Sequence, residues 1–256
     1  MNKYSTAVRT YKKILTCIGC TAVFSAAFTL CAFSTKKLVT INAPQPKSLN
    51  EILIEFEQPE VVTPDQYHKV VANHEKKDQG LIFYRNSATR NYVTWFYGHV
   101  TGDKEIARII LKYADENDIP ISLAFALAHQ ESRYHPRANN YNNNSSIDRG
   151  LFQLNSRSFV DFSEEEFFDP KINAKHGLAY FRECLDVAGN EVAALAMYNA
   201  GRTKVRNGGT PQRTLNYIAQ ISNYRDGLDE LFKREVVEKL KNSTDGNSFN
   251  VAALSQ

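Results

Sequence analysis

A single carboxylate follows an almost wholly apolar stretch of the chain. The stretch Ile-Ser-Leu-Ala-Phe-Ala-Leu-Ala-His runs from Ile121 to His129, and Glu131 comes two residues later. Burial disfavours the charged form of a carboxyl group, so apolar surroundings raise its pKa. A carboxylic acid that keeps its proton near neutral pH can act as a general acid, for example towards a glycosidic oxygen. Glu131 is therefore the first candidate catalytic residue.

Asp148 is the candidate for a second catalytic carboxylate. It lies near the end of a polar loop, 137–149, which contains five asparagines suited to binding sugar hydroxyls. The residues alone leave two other interpretations open. Asp148 could cap a turn, and Glu131 could form an ion pair with Arg133 or Arg149. The catalytic pair is thus a hypothesis for the geometry to test.

Several common kinds of catalytic site are missing from the sequence. It contains neither a Gly-x-Ser-x-Gly nucleophile motif nor a glycine-rich phosphate loop. None of the six histidines has the spacing of a metal ligand, and His129 is expected to be a structural residue. Three of the four cysteines precede residue 35, so Cys184 has no disulfide partner in the rest of the chain. We expect it to be a small buried residue on a helix.

Caps and hydrophobic periodicity predict that helices position these residues. Thr101 or Asp103 is expected to cap one helix, and Thr210 another. The predicted helices span 101–117, 121–132, 169–189, 191–200 and the region after 210. Few segments alternate polar and apolar residues with period two. The fold class is therefore predicted to be all-α, or α with a minimal β-hairpin.

The charge distribution separates a short N-terminal segment from the rest of the chain. Of the 256 residues, 43% are hydrophobic and 23% are charged, which is typical of a globular protein. Residues 1–34 carry four basic residues and no acidic ones, whereas the rest carries 27 basic and 28 acidic residues. A body so close to neutral lacks the basic excess of a nucleic-acid-binding protein. We therefore predict no nucleic-acid partner.

Residues 1–34 have the pattern of an export segment. After Lys13, the stretch from Ile14 to Phe33 runs for 20 residues without a charge. Ala32 and Ser34 could be the small residues of a cleavage site, but 20 apolar residues are also long enough to span a bilayer. A lipid-modified cysteine is a third alternative. The sequence predicts a cleaved signal peptide or an inner-membrane anchor, with the remaining chain on the periplasmic side of the cell envelope. Membrane contact is expected only through this segment.

The predicted organisation has four parts. Residues 1–34 are the signal peptide or membrane anchor, and 35–86 are a proline-containing spacer and helical arm. Within the arm, Thr63-Pro64-Asp65-Gln66 is a helix-start signal. Residues 87–232 are the predicted helical domain, and 233–256 are a polar tail.

Five short motifs follow one another along the second half of the chain. They are Glu131–Ala138 (Glu-Ser…Pro-x-Ala), Gly150–Leu154 (Gly-Leu-Phe-Gln-Leu), Asp169–Tyr180 (Asp-Pro…Asn…Gly…Tyr), Met197–Gly201 (Met-Tyr-Asn-Ala-Gly) and Gly208–Tyr217 (Gly-Gly-Thr-Pro…Thr…Tyr). Together they resemble the motifs of the bacterial soluble lytic transglycosylase (SLT) family, in which methionine stands at the position of Phe152. One motif alone would be weak, but five in order over about residues 104–222 are specific.

The resemblance implies a fold and an activity. The fold is a lysozyme-like helical domain without cofactor or metal. The activity is cleavage of the bond between N-acetylmuramic acid and N-acetylglucosamine in peptidoglycan, usually with a 1,6-anhydro product. The implied partner is the peptidoglycan glycan strand, with envelope machinery as a further candidate.

The resemblance also implies individual roles near the acid. Glu131 would act first as acid and then as base. Ser132 would steady the substrate or its N-acetyl group, and Tyr198 would hydrogen-bond near Glu131.

Three more residues are expected to contact the substrate. Gln153 and Asn199 would hold sugar or peptide groups in the cleft, and Phe152 would form a cleft wall. Core packing is the alternative for Phe152 and for Tyr198, because aromatic residues often fill cores.

Asp148 keeps a second enzymatic interpretation open. The stretch Asn144–Arg157 also resembles the Ser-x-Asp-x-Gly-x-x-Gln-x-Asn-Ser-Arg stretch of animal-type lysozymes, and a similar stretch occurs in transglycosylases of secretion machines. In the lysozymes the aspartate is a nucleophile or a charge stabiliser. A hydrolytic muramidase that uses Glu131 and Asp148 is therefore one alternative, and a non-catalytic wall-binding module is another.

Overall fold

Helices make up most of residues 78–244, which are described, together with residues 48, 49 and 51, by a computed structural model. The α-helices are α1 Gln79–Arg85, α2 Arg90–Thr101, α3 Lys104–Glu116, α4 Ile121–Ser132, α5 Glu164–Phe168, α6 Pro170–Ala188, α7 Glu191–Ala200, α8 Arg202–Arg206, α9 Gln212–Phe232 and α10 Glu238–Thr244. A π-helical stretch, Lys233–Val237, joins α9 to α10. The prediction of a mainly helical fold is confirmed.

A small antiparallel sheet lies between α4 and α5 along the chain. Its strands are β1 Asn139–Tyr141, β2 Ile147–Arg149 and β3 Leu154–Asn155, in the order β1-β2-β3. Asp148 pairs with Asn140 on one side and with Asn155 on the other. The sequence predicted at most a hairpin, and the third strand is too short for a period-two pattern to reveal it.

Side-chain caps explain where several helices begin. Asp103, and not Thr101, caps α3 through two backbone N–H groups of the first turn. Asn190 caps α7 through a single backbone N–H group, that of Ala193. The predicted cap Thr210 is wrong, because the residue before α9 is Pro211 in an extended conformation, without a side-chain cap.

Helix α4 forms the centre of the helical unit. All eight residues from Ile121 to Ala128 are buried, and α3 and α9 pack against the helix. The first residues of α4 are tied to its neighbours: Asp78 Oδ1 accepts the N–H groups of Leu81 (2.6 Å) and Ile121 (3.3 Å). Arg225 of α9 donates to Ser122 Oγ at 3.2 Å. These contacts fix α4, which carries Glu131 in its last turn.

The packed unit continues beyond both predicted limits of the domain, residues 87 and 232. Before residue 87, Leu81 and Phe83 of α1 are buried. After residue 232, Val236 and Leu240 are buried because they continue an i, i+4 apolar stripe that includes Phe232. Charged residues between these positions hide the stripe in the sequence, which made the segment look like a polar tail.

The predictions for the N-terminal leader, for the helix start at 63–66 and for residues 245–256 concern parts of the chain outside the described residues. All described residues belong to one compact unit, Pro44–Gln256. Among them, no helix combines the length and apolar character needed to cross a membrane.

Candidate active site

Glu131 lies in the last turn of α4 and is half-buried. The hydroxyl of Tyr217, which belongs to α9, donates a hydrogen bond to Glu131 Oε1 at 2.5 Å. Burial raises the pKa of Glu131 to about 8, although the bond from Tyr217 lowers the pKa and the negative charge of Asp148 raises it further. The carboxyl group is therefore protonated at neutral pH, as a general acid must be.

The sequence missed Tyr217 as a partner of the acid. In the sequence, Tyr217 is the last residue of a motif, whereas Tyr198 was expected to form a hydrogen bond near Glu131. In the structure, the Tyr198 hydroxyl donates to the carbonyl oxygen of Phe152 at 2.8 Å. The one signal for Tyr217 was its place on the apolar face of α9, with Ile218 and Ile221.

Neither arginine considered as an ion-pair partner takes that role. Within the described chain, Glu131 forms no ion pair with Arg133 or Arg149. Arg133 is exposed, and the Arg149 guanidinium lies 5.3 Å from the centre of the Phe167 ring. The ion-pair interpretation of Glu131 with either arginine is thus excluded.

Ser132 and Phe152 contribute to packing beneath the site. The buried hydroxyl of Ser132 donates to the carbonyl oxygens of Leu151 (2.8 Å) and Ala128 (3.2 Å). Phe152 has no exposed surface, so the structure places it in the core and not on an exposed wall. Ser132 thus joins the end of α4 to the Gly-Leu-Phe-Gln segment, and neither residue presents a free polar group to a substrate.

Asn173 of α6 holds the Gly-Leu-Phe-Gln segment in place. Its fully buried amide accepts the N–H of Phe152 at 2.7 Å and donates to the carbonyl oxygens of Arg149 (2.9 Å) and Phe167 (2.8 Å). Gly150 fits only without a side chain, because a Cβ there would lie 2.2 Å from the Phe167 oxygen. The segment is therefore fixed by α6.

Gln153 and Asn199 each keep polar atoms available. Gln153 adopts a left-handed backbone (φ 49°) and its Nε2 donates to the carbonyl oxygens of Gly150 (2.9 Å) and Ala138 (3.1 Å). Asn199 is exposed, and its Oδ1 accepts from Thr214 Oγ1 at 2.8 Å. Within the described part of the chain, this leaves Gln153 Oε1 as an acceptor and Asn199 Nδ2 as a donor. Their substrate-binding roles stay predictions.

Three asparagine side chains surround Asp148. Asn155 Nδ2 donates to Oδ1 at 2.6 Å, and Asn142 and Asn140 donate to Oδ2 at 2.8 Å and 3.3 Å. The carboxylate thus accepts only side-chain amides and no backbone amide. It is held at a fixed position on β2, close enough for its charge to act on Glu131. Among the described residues, Asp148 accepts no hydrogen bond typical of a turn cap, and its catalytic role stays a prediction.

The arrangement of Glu131, Tyr217 and Asp148 supports proton transfer and charge stabilisation by side chains. Among the described residues, no three His, Cys, Asp or Glu side chains lie close enough together to hold a metal ion. Proton donation by Glu131 and charge stabilisation by Asp148 are the chemistry that these side chains offer.

Comparison with known proteins agrees with the motifs. Residues 108–221 match the family model of the transglycosylase SLT domain. The chain is also similar to the invasion protein IagB of Salmonella typhimurium in strains SL1344 and LT2. Each is 31% identical over 96 residues, covering 35% of this chain and 60% of the relative, so the match spans less than two thirds of these relatives. No solved structure gives a significant match. The resemblance found in the sequence is confirmed: residues 108–221 are similar to the lysozyme-like domain of the SLT family.

Proposed function

We propose that this protein is a lytic transglycosylase that cleaves peptidoglycan between N-acetylmuramic acid and N-acetylglucosamine. One observation carries the proposal: Glu131, with its pKa raised to about 8 and a 2.5 Å hydrogen bond from Tyr217, lies within an SLT domain. Such a group can give up a proton and take it back at neutral pH.

In the first step, Glu131 donates its proton to the glycosidic oxygen. The bond between that oxygen and the anomeric carbon of the muramyl residue breaks, and N-acetylglucosamine leaves with the new hydroxyl group. Positive charge develops on the anomeric carbon and the ring oxygen. The fixed carboxylate of Asp148 stabilises this charge through space.

In the second step, the ionised Glu131 acts as the base. It accepts the proton of the muramyl 6-hydroxyl, and O6 bonds to the anomeric carbon to form the 1,6-anhydro ring. Glu131 regains its proton and no water is consumed. The Tyr217 hydroxyl stabilises the ionised carboxylate between the two steps because it donates to Oε1.

Hydrolysis is the second candidate function. It is favoured by Asp148, a second carboxylate close enough for its charge to act on Glu131. A nucleophilic carboxylate in a retaining glycosidase lies about 5–5.5 Å from the acid. The amide hydrogens that both oxygens of Asp148 accept fix the carboxylate in place but do not prevent nucleophilic attack. We favour Asp148 as a charge stabiliser because Glu131 acts as both acid and base in the proposed reaction, which then needs no nucleophilic carboxylate. A non-catalytic wall-binding module is disfavoured, because no ion pair in the described chain explains a carboxyl group at residue 131.

Export to the cell envelope is part of the proposal. Its support is the basic and then apolar pattern of residues 1–34. The relatives in Salmonella typhimurium are described as invasion proteins, which is consistent with service to an envelope machine. Fractionation followed by N-terminal sequencing tests this, and a soluble cytoplasmic protein starting at Met1 would contradict it.

Mass spectrometry of the sugars released from purified peptidoglycan tests the activity. We expect 1,6-anhydro products from the wild type. In Glu131→Gln, which is nearly isosteric, release should fall by at least about 10²–10⁴-fold. The matched control is Glu230→Gln, since Glu230 is an exposed glutamate of α9, and it should behave like the wild type. Hydrated products would indicate a muramidase, and no products from the wild type would leave only the wall-binding module.

A further inference from the structure

The charges of the helical unit are unevenly distributed. Residues 78–244 contain 21 basic and 21 acidic residues, counting Lys, Arg, Asp and Glu. The two segments 132–160 and 192–224 together contain eight of the basic residues and one acidic residue, Asp148. The other parts of the unit contain 13 basic and 20 acidic residues. A neutral domain thus concentrates its positive charge in two segments.

These two segments also provide the groups around Glu131. Segment 132–160 contains Asp148, whose charge raises the pKa of Glu131. Segment 192–224 contains Tyr217, which bonds to Glu131. Positive charge is therefore concentrated on the parts of the chain that form the candidate active site, where a field of one sign attracts anionic ligands.

Three of these basic residues, Lys204, Arg206 and Arg213, lie close together along the chain in residues 204–213, here called the basic segment. All three residues are exposed, and none has a carboxylate partner among the described residues. The turn after α8 folds the chain back, since the N–H of Gly209 donates to the Lys204 carbonyl at 2.9 Å. Arg213 then lies one helical turn before Tyr217 on α9.

Helix stability does not explain Arg213. It is the second residue of the 21-residue helix α9, and no acidic residue accompanies it in the first turn. The macrodipole disfavours a cation at that end of a helix. An unpaired cation at an unfavourable position, next to the candidate site, indicates a role in binding.

The chemistry of the cations indicates carboxylates as the ligand. Seven of the eight basic residues in the two segments are arginine, compared with six of the 13 elsewhere in residues 78–244. The planar guanidinium matches a carboxylate with two parallel hydrogen bonds, which an ammonium group cannot do.

We propose that Lys204, Arg206 and Arg213 bind free carboxylates of the peptide side chains on the glycan substrate. This rests on the proposed function. The peptides of peptidoglycan are attached to N-acetylmuramic acid, the sugar whose bond Glu131 would break, so their carboxylates arrive beside the site. The substrate class is then peptide-bearing glycan and not bare glycan.

The test compares two glycan substrates with two full-length variants. The substrates are glycan strands with intact peptides and the same strands after the peptides have been removed by an amidase. The test variant is Lys204→Gln/Arg206→Gln/Arg213→Gln. The control variant is Arg108→Gln/Lys175→Gln/Lys233→Gln, which removes the same charge from three exposed residues outside both segments.

In the test variant, the ratio of kcat/KM for peptide-bearing over peptide-free strands should fall about tenfold relative to the wild type, mainly through KM, since three exposed charge pairs contribute this much together. The control variant should keep the wild-type ratio. Converting the peptide carboxylates to methylamides should lower the ratio of the wild type to that of the test variant.

Failure of this inference and failure of the proposed function are distinguishable. If the wild type cleaves both substrates and the test variant keeps its ratio, the basic segment does not bind peptide carboxylates. If the test variant keeps the ratio but loses binding to vesicles with 30% phosphatidylglycerol, the segment binds anionic lipid instead, and the proposal is overturned. If the wild type cleaves neither substrate, the proposed function fails. Sedimentation with native and methylamidated peptidoglycan then tests the inference independently of any cleavage activity. Equal binding of the wild type and the test variant to native peptidoglycan would overturn it.

Discussion

At the scale of single residues, the Tyr217 hydroxyl opposes the effect of burial and makes it easier for Glu131 to lose its proton. The hydroxyl donates to the carboxylate and so favours its ionised form. Tyr217→Phe should therefore raise the pKa of Glu131 and move the alkaline limb of the pH–rate profile upward by about one pH unit. The rate at neutral pH should fall because the ionised intermediate is less stable.

The pH profile of cleavage measures this shift. Tyr198→Phe is the control, since that hydroxyl donates to Phe152 and not to Glu131. Its alkaline limb should stay in place whatever its effect on stability. An unmoved limb in Tyr217→Phe would show that the Tyr217 hydroxyl does not act on Glu131.

Asp148→Asn separates the two enzymatic mechanisms. If Asp148 only stabilises developing charge, the substitution should reduce cleavage by less than about tenfold, or about 1.4 kcal/mol. The products should remain 1,6-anhydro sugars. Loss by several orders of magnitude would instead identify a nucleophile and support hydrolysis. Initial rates and product masses from one digestion give both readouts.

The sequence predicts a residue of the site well when its signal is local. Glu131 stands out because a carboxylate ending an apolar helix has no structural reason to be there. Tyr217 does not stand out, because 86 residues separate it from Glu131 and only the packing of α9 on α4 joins them. Phe152 was assigned to a cleft wall by its motif, but exposure depends on the fold around it. In the sequence Asn173 is only one residue of a motif. Its hydrogen bonds to the backbone of Phe152, Arg149 and Phe167 are apparent only in the structure.

At the scale of structural elements, Gly150 decides whether the Gly-Leu-Phe-Gln segment can fold against α6. Its backbone is left-handed (φ +80°), and a Cβ would lie 2.3 Å from the Asn173 amide nitrogen. Gly150→Ala should lower the free energy of unfolding by more than about 3 kcal/mol. Gly189→Ala is the control, since Gly189 is left-handed (φ +70°) but has open space. It should cost only about 1 kcal/mol.

Urea denaturation of the two variants makes the comparison. Equal losses of stability would mean that backbone conformation alone, and not the contact with Phe167 and Asn173, requires glycine at residue 150.

Elements with strong local signals were predictable, and short ones were not. The predicted limits of the helices at 121–132 and 191–200 agree with α4 and α7. Proline or an asparagine cap marks their starts, and apolar residues fill them. Helices α5 and α8 have five residues each and escaped prediction. A single turn of helix has too little periodicity to distinguish it from a loop.

At the scale of the whole molecule, stability should depend on pH through Glu131. The carboxyl has an ordinary pKa of 4.5 and a folded-state pKa of about 8. Between these values the folded protein holds a proton that the unfolded chain has released. Its stabilising contribution is complete below pH 4.5 and is lost as the pH rises to about 8.

Glu131→Gln removes this dependence and provides the measurement. The variant should gain stability over the wild type as the pH rises from 5 to 9, by about 4 kcal/mol in total, with little difference at pH 4. Denaturation of both proteins across this range cancels the contributions of all other groups. A constant difference would show that the pKa of Glu131 is not raised by folding.

The hydrogen bond between α4 and α9 also determines the order in which the candidate site is assembled during synthesis. Glu131 is synthesised 86 residues before Tyr217, and the ribosome adds about 5–20 residues per second. For several seconds the nascent chain therefore contains the acid without its partner, and α4 without the helix that packs against it. A chain truncated before Tyr217 would stay in this state permanently. The candidate site is therefore assembled only after α9 has been synthesised and has packed against α4.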